Sequence, residues 1–181
     1  MAVIEAISTT YLEADAASVT FSSIPATYEH LQLRCNLKSN RTNSSDPVRM
    51  CLGDSSDSPV DTGSGYYSHY LSGNGSNAGS GVFGSTSLRI GRVAGSKTDE
   101  NAANYGTTVI DIFDYANANK NTTVLGISGL AGDSSATGTV VALASGIWET
   151  ASVVTAVRVE AADGSGWIRG TEVTLYGLKS S

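Results

Sequence analysis

Thr139-Val-Val-Ala-Leu-Ala-Ser-Gly-Ile-Trp-Glu149, Ser152-Val-Val-Thr-Ala-Val-Arg-Val-Glu160 and Gly170-Thr-Glu-Val-Thr-Leu-Tyr-Gly-Leu-Lys179 are three strand-sized runs divided by short turn-forming segments. In the second, Val153, Thr155, Val157 and Val159 share one face and Val154, Ala156, Arg158 and Glu160 the other. In the third, Val173, Leu175 and Gly177 oppose Thr174, Tyr176 and Leu178. Alternation with a period of two marks half-buried strands of an antiparallel sheet. A final run this regular docks into the sheet, so the fold should need it.

Working outward, the same signal recurs upstream. His30–Lys38 alternates Leu31, Leu33, Cys35 and Leu37 against Gln32, Arg34, Asn36 and Lys38. Ser18–Ile24, Val48–Leu52, Tyr66–Leu71, Ser87–Val93, Thr107–Phe113 and Thr122–Leu130 are further strand candidates. Pro25 ends the first of these, because it cannot donate to a ladder. The segments 53–65, 73–81, 95–104 and 132–138 are polar and turn-rich and read as loops or turns, 73–81 as a long exposed one. Residues 114–121 are compatible with one helical turn, but no segment sustains a 3.6-residue period. The expectation is an all-β chain, an antiparallel β-sandwich of about ten strands, jelly-roll-like. Residues 1–17 form an N-terminal strand or arm, and 18–181 a single sandwich domain.

The 181 residues suffice for one domain with a real core. Charged residues make up only 15% of the chain while Gly alone numbers 20, a composition that suits many short strands and turns. The net charge of −6 and the lack of any basic run argue against nucleic acid, whose phosphates call for clustered Lys and Arg, and against an anionic membrane surface. No apolar run approaches the ~20 residues of a membrane-spanning helix. The opening Met-Ala-Val-Ile-Glu-Ala-Ile-Ser lacks the pattern of a signal peptide, which points to synthesis in a cytoplasm without dedicated export. Cys35 and Cys51 are too few for a disulfide framework and read as reduced thiols on neighbouring strands.

No residue pattern makes a positive case for an enzyme. His30 and His69 are the only imidazoles, and neither Cys lies near them in sequence, so a zinc-type ligand set is missing and no metal or other cofactor is expected. No Gly-x-Ser-x-Gly turn leads from a strand to a helix. Asp111 and Asp114, three apart in a strand, point to opposite faces and do not make an acid–base pair. Asp54, Asp57 and Asp61 lack the spacing of a calcium loop. Tyr66, Tyr67, His69 and Tyr70 are the one chemically suggestive group: aromatics beside a polar loop suit sugar stacking or a protein interface. The competing reading places two of these tyrosines in the core of an alternating strand. Trp148 is read as a packing residue.

Several pieces of the chain carry a resemblance. Phe21-Ser-Ser-Ile-Pro-Ala-Thr-Tyr-Glu-His-Leu-Gln-Leu-Arg34, Tyr67-Ser-His-Tyr-Leu-Ser-Gly-Asn-Gly75, Val109-Ile-Asp-Ile-Phe-Asp-Tyr-Ala116 with Asn119-Lys120, Ser145-Gly-Ile-Trp148 and Leu175-Tyr-Gly-Leu-Lys179 occur in order across nearly the whole sequence. Together they resemble a family of small virion structural proteins of tailed bacteriophages, notably marine and cyanobacterial ones. The resemblance implies a non-enzymatic β-sandwich on the phage particle, a homotrimer, with the major capsid protein as partner and no catalytic residues to carry over. Two roles follow as expectations: a capsid decoration (cement) protein that stabilises the head, or a tail-fibre or receptor-binding module that recognises host-surface glycan through Tyr66, Tyr67 and Tyr70. In the first role, Val3-Ile4-x-x-Ile7 is either an arm adding a strand to a neighbour's sheet edge or the first strand of its own sandwich.

Overall fold

A computed structural model describes residues 3–96, 103–131 and 139–180. Twelve strands are present: β1 (Val3–Tyr11), β2 (Ser18–Phe21), β3 (His30–Leu37), β4 (Ser45–Gly53), β5 (Tyr66–Gly73), β6 (Ala78–Ser85), β7 (Leu88–Ala94), β8 (Gly106–Phe113), β9 (Thr122–Leu130), β10 (Val140–Trp148), β11 (Ala156–Ala161) and β12 (Glu172–Lys179). No helix occurs among the described residues. The strands form an eight-stranded sheet, ordered β1-β12-β3-β8-β9-β10-β5-β6, and a four-stranded sheet, ordered β2-β11-β4-β7. All ladders between these strands are antiparallel.

The chain crosses repeatedly between the two sheets. β2, β4, β7 and β11 make the small sheet, and β3, β5–β6, β8–β10 and β12 lie in the large one. This is jelly-roll connectivity, with β9 and β10 widening the large sheet and β12 and β1 extending it past β3. The all-β sandwich read from the sequence is the observed fold, with twelve strands instead of about ten.

Alternation explains the core. Leu31, Leu33 and Leu37 of β3, Ile110 and Ile112 of β8, and Val173 and Leu175 of β12 face Val48, Met50 and Leu52 of β4 and Val157 and Val159 of β11. Each such side chain contributes about 1.5–3 kcal/mol when taken fully out of water. Both tryptophans are buried with their indole N–H groups satisfied: Trp167 donates to the carbonyl of Val159 (3.0 Å) and Trp148 to Asp61 Oδ2 (2.8 Å). Gly177 leaves a hollow on β12 that the Tyr28 ring fills; a Cβ there would sit 2.3 Å from that ring.

The two sheets are closest at β7. A Cβ on Gly126 of β9 would come within 2.3 Å of the Ile90 carbonyl oxygen, and one on Gly146 of β10 within 2.7 Å of Leu88. β7 is the last strand of the small sheet, and its outer edge would expose unpaired N–H groups. Two of these are taken up by the large sheet: Arg89 N donates to Ser68 Oγ (3.0 Å) and Arg92 N to Ser128 Oγ (2.9 Å).

Several expectations need correction. Residues 73–81 are not a long loop. The chain reverses over Asn74–Asn77, where Asn74 Oδ1 accepts from the N–H groups of Ser76 (3.1 Å) and Asn77 (2.7 Å) and Gly75 takes φ 86°, and continues as β6. The turn is an Asx type, and glycine supplies the left-handed residue without steric cost. Val153 and Thr155 do not share the inward face of Val157 and Val159. Strand pairing starts at Ala156, and ahead of it Val154 is the residue that turns into the core. Residues 114–121 form turns, not a helical segment. Cys35 and Cys51 are free and buried, but β3 and β4 are in different sheets, Cys35 facing the interior and Cys51 the outer side beside Arg158. The turn read at 132–138 lies outside the described residues.

Two outcomes follow. β12 is hydrogen-bonded between β1 and β3, so deletion of residues 175–180 should abolish the cooperative thermal transition followed by circular dichroism. Burial pushes the Cys35 thiol up to about 12 and raises that of Cys51 as well, chiefly by desolvation with a contribution from Glu160 that Arg158 partly offsets. Because the thiolate is the reactive form, a thiol reagent at mildly alkaline pH should label neither cysteine in the folded protein and both in denaturant.

Candidate functional site

β5 shows how alternation divides the aromatic group read from the sequence. Tyr66 and Ser68 face the interior, while Tyr67, His69 and Leu71 face out. Tyr66 is fully buried and stacks on Trp148 (centroids 6.3 Å, 14° between planes). Its hydroxyl donates to the Leu52 carbonyl (2.8 Å) and accepts from the Leu52 N–H (3.0 Å), tying β5 to β4. Desolvation pushes its pKa strongly upward, so it stays a neutral donor. Tyr70 shares the inward side but lies half-buried near the sheet edge, stacked on Phe83 of β6 (5.6 Å, 10°). Only Tyr67 and His69 of the four share an open surface.

That surface is the outer face of the large sheet over β9, β10, β5 and β6. Strand register sets Leu71, Leu143, Ile127 and Val109 in one row across β5, β10, β9 and β8. The adjacent row runs Val82, His69, Ser145 and Leu125, and the next Tyr67, Ile147 and Thr123. Val141 of β10 lies beyond Leu143 on the same side. Val82 is 79% exposed, Leu71 63% and Val141 60%. No Asp, Glu, Lys or Arg projects from the outward positions of β9, β10, β5 or β6; Asp111 and Arg34 bound the field on β8 and β3. Four strands ~4.8 Å apart, each about eight residues long at ~3.3 Å per residue, span roughly 500 Å². Apolar patches of this size mark interaction surfaces.

The signal for this face is present in the sequence, though in an unfamiliar form. In β9, Leu125 and Ile127 alternate with Gly126 and Ser128; in β10, Val141 and Leu143 alternate with Ala142 and Ala144. The small residues face inward because β7 lies directly on them, so the bulky ones are left to solvent.

At the centre of the field His69 Nε2 and Ser145 Oγ are 3.1 Å apart. A serine–histidine pair does chemistry when a third group orients the ring and free N–H groups await an oxyanion. Here the nearest carboxylate in register, Asp111, is three strands from His69 and accepts from Gln32 Nε2 (2.8 Å), and the surrounding backbone is engaged in the ladder. The pair satisfies two polar groups within an apolar field.

The remaining candidates are engaged locally. His30 Nδ1 accepts from the Asp114 N–H (3.0 Å), and Asp114, whose backbone has φ 50°, is held below the usual carboxylate range first by Lys120 and then by His30. Asp111 and Asp114 do not meet. Asp54 accepts from Ser56, Asp57 from the Asp54 N–H, and Asp61 from Gly63 and Trp148. No group of three or more His, Cys, Asp or Glu side chains suited to a metal ion occurs among the described residues. Comparison with protein-family models and with curated proteins yields no match.

A pair of substitutions separates core from surface. Tyr66→Phe leaves the buried Leu52 N–H without its partner, while the Leu52 carbonyl keeps the Asp61 N–H (2.9 Å), and should cost about 1–3 kcal/mol, read as a lowered denaturation midpoint. Leu143→Ser should change stability by no more than about 0.5 kcal/mol, as befits a surface position.

Proposed function

We propose that this protein is a virion structural protein of a tailed bacteriophage, a capsid decoration protein that seats the outer face of its large sheet against the major capsid protein and stabilises the head. The observation that carries this reading is the charge-free apolar field over β9, β10, β5 and β6 on a chain of net charge −6. Its roughly 500 Å² supplies most of the ~800 Å² that one partner gives to a standard interface. A flat, uncharged face on a rigid sheet suits docking onto another protein surface, where charged groups would have to be desolvated.

The resemblance of the five sequence pieces to phage virion proteins supports the same role, and a homotrimer on the particle belongs to the proposal. β1 pairs with β12 of its own sheet, and its other edge is free to add a neighbour's strand. The tail-fibre alternative calls for Tyr66, Tyr67 and Tyr70 on one surface. Tyr66 is buried, and Tyr70 lies on the opposite side of the sheet from Tyr67.

Quantitative electrophoresis of purified virions should give hundreds of copies per particle, and Ile127→Asp with Leu143→Asp should remove the protein from heads while leaving its thermal transition intact. A handful of copies located at the tail, or full occupancy by the double variant, would sink the proposal.

A further inference from the structure

The opposite side of the β5–β6 hairpin carries a second surface of contrasting chemistry. Phe83 and Tyr70 point inward from the large sheet, but β7 is the last strand of the small sheet and does not extend beneath them. Arg89 reaches over the β7 edge instead, with its guanidinium carbon 4.1 Å from the Phe83 ring centroid. Tyr70, Phe83 and Arg89 thus form a short stack, bordered by Pro47, Arg92 and Ala142, around a small notch of about 20 Å³ that opens to solvent. Stacking fixes the plane of a guanidinium and leaves its N–H edge available for a carboxylate, which it matches in bidentate fashion.

That edge is only loosely engaged. The nearest carboxylate oxygen, Asp163 Oδ1, lies 4.0 Å from Arg89 Nη2 and is held more closely by Arg41, at 3.1 Å through its other oxygen. Arg89 makes no side-chain hydrogen bond to any described residue. Arg92 uses Nη1 on Ser45 Oγ (3.0 Å), and it also borders a second cleft, of about 280 Å³, lined by Ser45, Ser72, Asn74 and Asn77. Arg92 borders both clefts, so the aromatic wall with Arg89 lies on one side of it and a stretch of hydroxyl and amide side chains on the other. Within a chain of net charge −6, the small sheet gathers Arg49, Arg89, Arg92 and Arg158 on its outer side.

We infer that this groove binds an anionic saccharide, with a uronate-type carboxylate on Arg89 and Arg92 and sugar hydroxyls on the Ser/Asn stretch. The carboxylate accounts for the paired forks and the hydroxyls for the polar extension; an acidic peptide would leave the latter without purpose. The inference goes beyond the decoration reading and does not depend on it. The groove and the apolar face lie on opposite sides of the same hairpin, so a protein seated by the large sheet would still present the groove to solvent.

The test is calorimetric titration of the soluble protein with trigalacturonic acid, a neutral galactose trisaccharide and hexaglutamate. The acidic trisaccharide should bind, more weakly at high salt, and the other two should not. Arg89→Gln and Arg92→Gln should each weaken binding by about tenfold or more, while Arg34→Gln, on the other face of the large sheet over Tyr176, should leave it unchanged. If Arg89→Gln perturbs folding, Arg89→Lys keeps the charge and the stem but loses the fork, and should also bind more weakly. Equal binding of the neutral trisaccharide, tighter binding of hexaglutamate, no heat at millimolar acidic trisaccharide, or insensitivity to the groove variants would each overturn the inference.

Discussion

The contact of β7 with the inner face of β9, β10 and β5 is the constraint on which the rest of the molecule turns. An edge strand normally has to be shielded from further pairing by charge, proline or a covering element. Here the covering element is the facing sheet. Ser68 and Ser128 accept from the N–H groups of Arg89 and Arg92, and Gly126 and Gly146 remove the side chains that would hold the layers apart. The approach works only with small residues on the inward side of those strands. Gly126 and Ser128 of β9 and Ala142, Ala144 and Gly146 of β10 occupy that side where β7 crosses, and Leu125, Ile127, Val141 and Leu143 fall on the other.

One packing decision thus produces both surfaces of the hairpin region. The outward bulky residues make the apolar field, and the end of the small sheet at β7 leaves Phe83 and Tyr70 to be covered by Arg89. The apolar face and the arginine-lined groove are linked through the same strand. Displacing β7 would be felt on both sides.

Most of the fold was legible in the sequence because period-two alternation is strong where one face is buried and the other solvated, as in His30–Leu37 and Glu172–Lys179. β6 was not, because Ala78-Gly-Ser-Gly-Val-Phe-Gly-Ser85 has turn composition and becomes a strand only through its pairing with β5. Composition pointed to a loop, and tertiary context prevailed. The site was less legible. Tyr66, Tyr67, His69 and Tyr70 are adjacent in sequence, yet a strand sends neighbours to opposite faces, so adjacency gave one surface where the sheet makes two. Leu125, Ile127, Val141 and Leu143 lie on the outer face, which is not legible locally because hydrophobic character alone cannot say which face a sandwich buries. Their small alternating partners are the cue. The cleft of Arg89 and Arg92 depends on where the small sheet ends, which no local pattern encodes.

β12 lies second from the edge of the large sheet, with Val3 paired to Lys179 and Leu33 to Leu175. Pairings of such long sequence separation place the fold among those of high contact order, which form slowly. During synthesis, the strands from β1 to β11 emerge while β3 still lacks its neighbour and β1 has nothing to pair with. The nascent protein therefore stays incomplete, with an unpaired β3 edge, until residues 172–179 clear the ribosome. Closure of the large sheet is thus a late event that waits for β12, and a chain terminated before it can form the small sheet but leaves the β1 and β3 edges unpaired.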